Sequence, residues 1–242
     1  MNKRMSSDIV IGKHAVRQAL GSNRHIEKLY LRDRQRVNKD LSDIISLAKK
    51  QAIQLQWLEP SRFDQRFHGD HQGIACICHS FKQIEINQII KEQPRVIIVA
   101  DHIQDPHNFG AICRTAEAFG IHHMCYPKNR AVQITPSVVK AAAGAMGSMK
   151  FCKLTNLNQS LKKLASNGYW IYGASSNIGK NLQQTEFNFP MVLICGSENT
   201  GISEGLVKVI DEFVHIPLFG ETSSLNVSVA TGIIINKIAS QN

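Results

Sequence analysis

Three stretches of this 242-residue chain gather residue types that could act on a charged or hydroxylated partner. The first is DHIQDPHNFGAICRTAEAFG, residues 101–120, directly after the apolar run RVIIVA. Pro106 and Gly110 shape a turn, and Asn108 is expected to cap the helix that follows. Arg114 and Glu117 stand three residues apart on that helix, which fits a surface ion pair. An arginine near a loop at a strand end could also grip a phosphate through two parallel hydrogen bonds, although the spacing alone favours the ion pair. The second stretch, LICGSENTGIS at 193–203, sets the acid Glu198 between Gly196 and Gly201 at the end of an apolar strand. That spacing mimics a phosphate-cradling loop, but Ile202 and Ser203 stand where Lys and Ser/Thr are required, which argues against nucleoside triphosphate. The third, IPLFGETSSLNVSVATGIIINKI at 216–238, leads Ser223, Ser224 and Asn226 into an apolar helix. Helix capping accounts for those residue types. The small and polar Ser228, Ala230, Thr231 and Gly232 further along suit close packing on another backbone or a ligand.

Other clusters carry less. Asp101, His102, Asp105 and His107 could ligate a metal and make the chain a metal-dependent hydrolase. They straddle a strand end and a proline turn, however, and offer no i,i+4 pair, so no metal is expected. Adjacent His122 and His123 are expected on opposite faces of a strand, one toward solvent, with no role. GASSNIG at 173–179 has the wrong spacing for a dinucleotide fingerprint. Six cysteines lie mostly in apolar segments with no CxxC, which suits buried free thiols in a reducing cytoplasm.

A repeating order of elements must position these loops. Residues 12–21 and 40–51 have helical periodicity, whereas 26–31, LQWL and GIACICHS at 73–80 have the character of strands. This predicts a small α/β domain over 1–80. FKQIEINQIIKEQP is polar and ends at a proline, so a linker is expected over 81–93. From residue 94 to 242 the pattern predicts strands at 95–100, 121–125, 169–174, 190–195 and 213–216, alternating with helices at 108–119, 156–166 and 225–239. Continuous apolar strands separated by helices imply a parallel sheet covered on both faces. In such sheets ligands gather where strands end.

Composition narrows the partners. A hydrophobic share of 43% with 19% charged residues is that of a globular chain. No apolar run approaches the roughly 20 residues of a membrane helix, so no membrane partner is expected. MNKRMSSD has no apolar core behind it and is expected as a short frayed tail rather than a signal peptide. The formal charge of +9 favours an anionic partner. Residues 1–80 carry 14 Lys and Arg against 8 Asp and Glu, so most of the excess lies there, in Arg24, Lys28, Arg32, Arg34, Arg36 and Lys39 among others. A solvated basic face is the alternative.

Taken together, the three stretches resemble, in order and spacing, the motifs of the SpoU (TrmH-type) family of RNA ribose methyltransferases in the SPOUT superfamily. The likeness is greatest to the bacterial enzymes that 2′-O-methylate a guanosine of 23S rRNA. SSLNVSVATG is the most specific motif; IGKHAV at 11–16, the segment from Asp40 to Gln65 and HQGIAC at 71–76 resemble the family's N-terminal substrate-binding domain. Asn199 and Thr200 follow the acid where many relatives carry glycine, and asparagine tolerates positive φ. The resemblance implies a C-terminal parallel sheet tied in a trefoil knot, an exception to the rule against knots, and a homodimer whose sites draw on both subunits. It implies S-adenosylmethionine held by Gly173, Ala174, Gly196, Ile216 and Leu225, and a catalytic set of Asn108, Arg114, Glu198, Ser224 and Asn226. RNA is the implied partner, 23S rRNA before tRNA, with no DNA. The identity of the proton acceptor stays open, because a guanidinium with a pKa above ~12 is a poor base.

Overall fold

The computed structural model describes residues 7–21, 25–79, 81–132, 134, 136–198 and 200–241. Most of the expected tail, Arg24 and Asn199 lie outside the described residues. The chain divides into two compact units: the residues up to Phe81 with the short piece Ile134–Pro136, and the remainder from Lys82 onward.

The first unit runs β1 (Ser7–Ile11), α1 (Lys13–Gly21), β2 (His25–Arg32), α2 (Lys39–Lys50), β3 (Gln54–Leu58), α3 (Pro60–Arg66) and β4 (Ile74–His79). Its sheet has the order β1-β4-β2-β3, with β2 and β3 parallel across α2 and the other pairs antiparallel. The period of two decides its faces. Leu29, Leu31, Ile74 and Cys76 pack with Val16, Leu41 and Ile44 of the helices, while Tyr30 and Ala75 pack with Phe63 and Phe67. Sequence periodicity did not predict β1 or α3.

The second unit contains β5 (Lys82–Gln83), α4 (Ile86–Glu92), β6 (Val96–Ala100), α5 (Pro106–Ala118), β7 (His123–Pro127), α6 (Pro136–Ala141) and β8 (Lys150–Leu154). It continues through α7 (Leu157–Ala165), β9 (Trp170–Ser175), β10 (Lys180–Asn181), β11 (Met191–Cys195), α8 (Glu204–Val207), β12 (Glu212–His215) and α9 (Val227–Ala239). Eight strands form one sheet in the order β10-β12-β9-β11-β6-β7-β8-β5, and every pair is parallel. The central strands β6, β7 and β11 are buried at every residue. Each fully buried Val or Ile there contributes about 1.5–3 kcal/mol. α7 shows how the helices cover the sheet: Asn156 caps it by accepting from the Gln159 N–H, and Leu157, Leu161 and Leu164 turn one buried stripe inward.

The expected linker is not one. Its residues supply β5, which pairs with β8, and α4, whose Ile89 is buried with Ile97, Val99 and Leu154 in the core of the second unit. Glu92 at the end of α4 ties it further to the sheet. Its Oε2 accepts from Lys150 Nζ at 2.5 Å and from His123 Nε2 at 2.8 Å. Those bonds, the one from Lys150 foremost, pull the Glu92 carboxyl down to about 2. Burial holds His123 below the usual imidazole range, so the neutral ring donates from Nε2. His123 therefore has a structural partner, contrary to expectation, and the neighbouring ring of His122 is half-buried rather than solvent-facing. All six cysteines are free and buried, as expected.

Candidate active site

Parallel pairing explains why distant loops meet. β6 lies beside β11, β11 beside β9 and β9 beside β12, so the segments leaving Ala100, Cys195, Ser175 and His215 all emerge on one edge of the sheet. Two adjoining cavities open there. One, of about 840 Å3, is lined by the loops after β9, β11 and β12 and by the start of α9. The other, of about 580 Å3, is lined by the loop after β6, the start of α5 and Arg130. Ser197, Glu198, Thr200 and Val227 face both and form the wall between them.

Side chains from all three motifs lock together at that wall. Asn108 Nδ2 donates to Glu198 Oε1 at 3.0 Å, Asn226 Nδ2 donates to the same oxygen at 2.6 Å, and Asn226 Nδ2 also lies 3.0 Å from Asn108 Oδ1. Asn226 Oδ1 in turn caps α9, accepting from the backbone of Ser228 at 2.9 Å and Val229 at 3.4 Å. Both amide groups thus use donor and acceptor with one consistent orientation. The helix-cap role expected of Asn108 belongs to Asp105, whose oxygens accept from His107 N and Asn108 N, each at 3.2 Å. Pro106 occupies the first helical position, so the cap must be the residue before it. Asn108, two residues further along, is left to reach Glu198.

The loop after β11 is drawn tight. Ser197 and Gly201 exchange backbone hydrogen bonds of 3.0 and 2.9 Å, and the hydroxyls of Ser197 and Thr200 lie 2.7 Å apart. A Cβ on Gly196 would fall 2.1 Å from the Gly201 carbonyl carbon, so only glycine fits. Cys195 lies at the floor of the larger cavity beside the Thr231 hydroxyl, 3.1 Å away. Burial pushes its thiol up to about 12, so it stays neutral and weakly nucleophilic.

Beneath the smaller cavity lies a second fixed cluster. Asp101 is fully buried and accepts from Ser203 N and Ser203 Oγ, both at 2.7 Å, and its other oxygen is 2.5 Å from His102 Nδ1. His102 takes φ 56, a left-handed conformation costing a non-glycine residue about 1–3 kcal/mol. Asp101 and Asp105, considered from sequence as metal ligands, are thus engaged in hydrogen bonds and a helix cap. Among the described residues no group of three or more His, Cys, Asp and Glu could hold a metal ion.

Comparison with known proteins agrees with this architecture. Residues 95–236 match the SpoU rRNA Methylase family, and residues 9–84 match the domain described as RNA 2′-O ribose methyltransferase substrate binding. The chain is 34% identical over 237 residues to YacO of Bacillus subtilis, assigned to the TrmH family of tRNA/rRNA methyltransferases, covering 96% of this chain and 94% of that one. The chain belongs to the SpoU rRNA methylase family. Among solved structures, a TrmH-family protein from Porphyromonas gingivalis aligns with a TM-score of 0.62 at 25% identity, over 96% of this chain and 88% of that chain. The SpoU methyltransferase AviRb of Streptomyces viridochromogenes, solved with AdoMet, aligns at 0.64 and 18% identity, over 97% and 90%. The fold is therefore the SPOUT methyltransferase fold, with a small N-terminal α/β unit ahead of it, as the motifs implied.

Against the SpoU motifs, the cavities sort the expected residues. Ala174, Gly196, Ile216 and Leu225 line the larger cavity, with Glu198, Ser224 and Asn226 at its rim. Asn108 lines the smaller one. Gly173 lines neither: it is buried, and a Cβ there would meet Phe213 and Ile210 at 2.9 Å, so packing rather than ligand contact accounts for it. Arg114 is exposed on α5, lines neither cavity and makes no ion pair among the described residues. Its expected partner Glu117 instead accepts from Ser148 Oγ at 3.1 Å. Sequence reasoning missed Ser176, Asn177 and Ile178, which line the larger cavity from a turn organised by Ser175 Oγ. The polar cluster SSN after an apolar strand was the available signal.

Proposed function

We propose that this SpoU-family methyltransferase moves a methyl group from S-adenosylmethionine to a ribose 2′-hydroxyl, of a guanosine in 23S rRNA. The observation that carries the reading is the junction of Asn108, Glu198 and Asn226 in the wall between two cavities. One cavity suits a cofactor and the other a reacting nucleotide. The cavity of about 840 Å3 is large enough for a nucleoside cofactor. Its residues fit the group: Gly196 lets main chain approach closely, Ile216, Leu225 and Ile234 give apolar contact, and Ser175, Ser176 and Asn177 supply polar groups. S-adenosylmethionine bound there supplies an electrophilic methyl, so the protein needs to align a hydroxyl and need not provide a metal.

Glu198 is held by two amide donors on Oε1, and among the described residues its Oε2 has no partner. Together with Asn108, Ser224 and Asn226 it orders the loops around the reacting hydroxyl. Arg114 holds the target phosphate by paired hydrogen bonds and polarises the hydroxyl. Because it is exposed on the other side of α5 from Asn108, it serves the site of a second copy in a homodimer. Val229 and Ile233 of α9, 50% and 41% exposed, offer an apolar face for that pairing. The first unit, with its excess of basic residues, holds RNA through phosphates, which gives affinity without sequence choice. The enzyme works in the cytoplasm, and among the described residues no helix is long and apolar enough to cross a membrane.

Ribose-methylation mapping of 23S rRNA and tRNA from cells with and without the gene tests the assignment. The expected result is loss of one 2′-O-methyl mark on 23S rRNA. A tRNA mark lost instead would refute the target and favour the second reading, a tRNA ribose methyltransferase, which the tRNA/rRNA description of the Bacillus subtilis relative keeps in view.

A further inference from the structure

The geometry points to His102 as a residue that binds the target nucleotide, its Nε2 accepting a hydrogen bond from an N–H of the base inside the smaller cavity. The inference rests on reading the larger cavity as the cofactor site. Four observations lead to it. His102 lines the smaller cavity, of about 580 Å3, and its side chain is 33% exposed there. The ring is fixed from behind: Nδ1 lies 2.5 Å from a buried oxygen of Asp101 and 3.1 Å from Ser203 Oγ, and Ser203 is itself bonded to Asp101. A carboxylate at Nδ1 selects the tautomer with the proton on that nitrogen, and in that tautomer Nε2 is an acceptor. Among the described residues Nε2 has no partner.

The fourth observation is the backbone. His102 sits at φ 56, where glycine would be at ease and a histidine is strained. Asp101 and Ser203 hold it there, and the result is an imidazole edge aimed into a cavity rather than packed in a core. Such locally strained, over-determined positions cluster at functional sites.

The layout of the walls separates a base-binding role from a role in proton transfer. Glu198 faces both cavities, so the methyl crosses near it and the ribose lies against that wall. His102, Gln104 and Arg130 line only the smaller cavity. They face the remainder of the nucleotide: Arg130 its phosphate, and His102 and Gln104 the edge of a base turned out of its stack.

Glycine at position 102 removes the ring and relieves the backbone at once, at the cost of the ring's bond to Asp101. Relief of the backbone offsets loss of the bond to the buried Asp101 oxygen, so His102→Gly is expected to melt within a few degrees of wild type and to bind S-adenosylmethionine unchanged by calorimetry. Its kcat/KM for tritiated methyl transfer to total RNA from cells lacking the gene is expected to fall about tenfold or more, the effect of one unpaired polar contact. His102→Asn tolerates the same backbone and keeps an acceptor on a shorter arm, so it should recover part of the loss. Transfer by His102→Gly within twofold of wild type overturns the inference. So does an equal loss of cofactor affinity, which would assign the ring to the cofactor, or an equal deficit in His102→Asn. Wild-type protein that transfers no methyl to this RNA would instead remove the reading of the site beneath it, and the inference with it.

Discussion

Asn226→Ser separates two jobs that one side chain performs. Its Oδ1 caps α9, while its Nδ2 tethers Glu198 at 2.6 Å and Asn108 at 3.0 Å. Serine is as good a helix cap as asparagine, but its hydroxyl is too short to reach Glu198. The two lost bonds are worth about 0.5–1.5 kcal/mol each, and water at the exposed Glu198 replaces part of that, so a cost of about 1–2 kcal/mol is expected. Asn226→Ala loses the cap as well, for about 1 kcal/mol more. In a protein of this size each kcal/mol moves Tm by about 2–4 °C. Calorimetric melting should therefore give Asn226→Ser about 2–8 °C below wild type, and Asn226→Ala a further 2–4 °C down. Methyl transfer to RNA should fall steeply and to a similar extent in both, because both lose the tether. An alanine variant as stable as the serine one would deny the cap. A serine variant with wild-type transfer would deny the tether, and with it the role given to the wall between the cavities.

Arg114→Ala should abolish methyl transfer with cofactor affinity and Tm unchanged, since the side chain is exposed and unpaired among the described residues; loss of cofactor binding would assign it to the pocket instead. Equal mixing and reassociation of Arg114→Ala with Glu198→Ala should restore about a quarter of wild-type transfer, because half the dimers would then carry one intact site of two. No restoration would mean that each site is built within one chain. Gly196→Ala should lose cofactor binding and about 1–3 kcal/mol of stability through the forced contact with Gly201, as read by calorimetry and urea melts. Glu92→Gln probes the acid dependence of α4. The folded-state carboxyl at about 2, below the 4.5 of a free glutamate side chain, contributes stability above pH 4.5 that is lost as pH falls toward 2. The Tm gap between wild type and variant should therefore close across that interval, and a constant gap would exclude the mechanism.

How much of this was legible depended on the kind of signal. VIIVA and MVLIC declare buried parallel strands by apolar continuity alone, and α2 and α7 declare themselves by their spacing. β8, KFCKL, does not, because its two half-exposed positions, 150 and 153, are lysines that interrupt the apolar run without setting up an alternation. The segment 81–93 looked like a linker because it is largely polar; of its isoleucines, however, Ile84 and Ile89 are buried in the core and Ile86 and Ile90 pack against it. Proline at 106 already located the helix cap at Asp105, but the pattern of asparagine before a helix drew attention to Asn108. Asp101 and His102 looked like metal ligands because sequence gives residue types without directions. Only the fold shows them bonded to one another and to Ser203, a hundred residues away.

The same limit explains Arg114. Convergence of the loops after β6, β11 and β12 follows from parallel strands ending on one edge; that Asn108, Glu198 and Asn226 are the residues that meet there came from the resemblance to the SpoU motifs. Arg114 lies six residues beyond Asn108, and at about 100° per residue that turns it roughly 120° away around α5. Asn108 is buried at the cavity wall and Arg114 is exposed. The proposed reaction needs both residues, yet Arg114 lines neither cavity of its own chain. A two-fold pair resolves this, because α5 of each copy can offer Asn108 to its own cavity and Arg114 to its partner's. On that account the solvent-facing position of Arg114 is the reason to expect a shared site, and the mixed-variant restoration is the measurement that decides it.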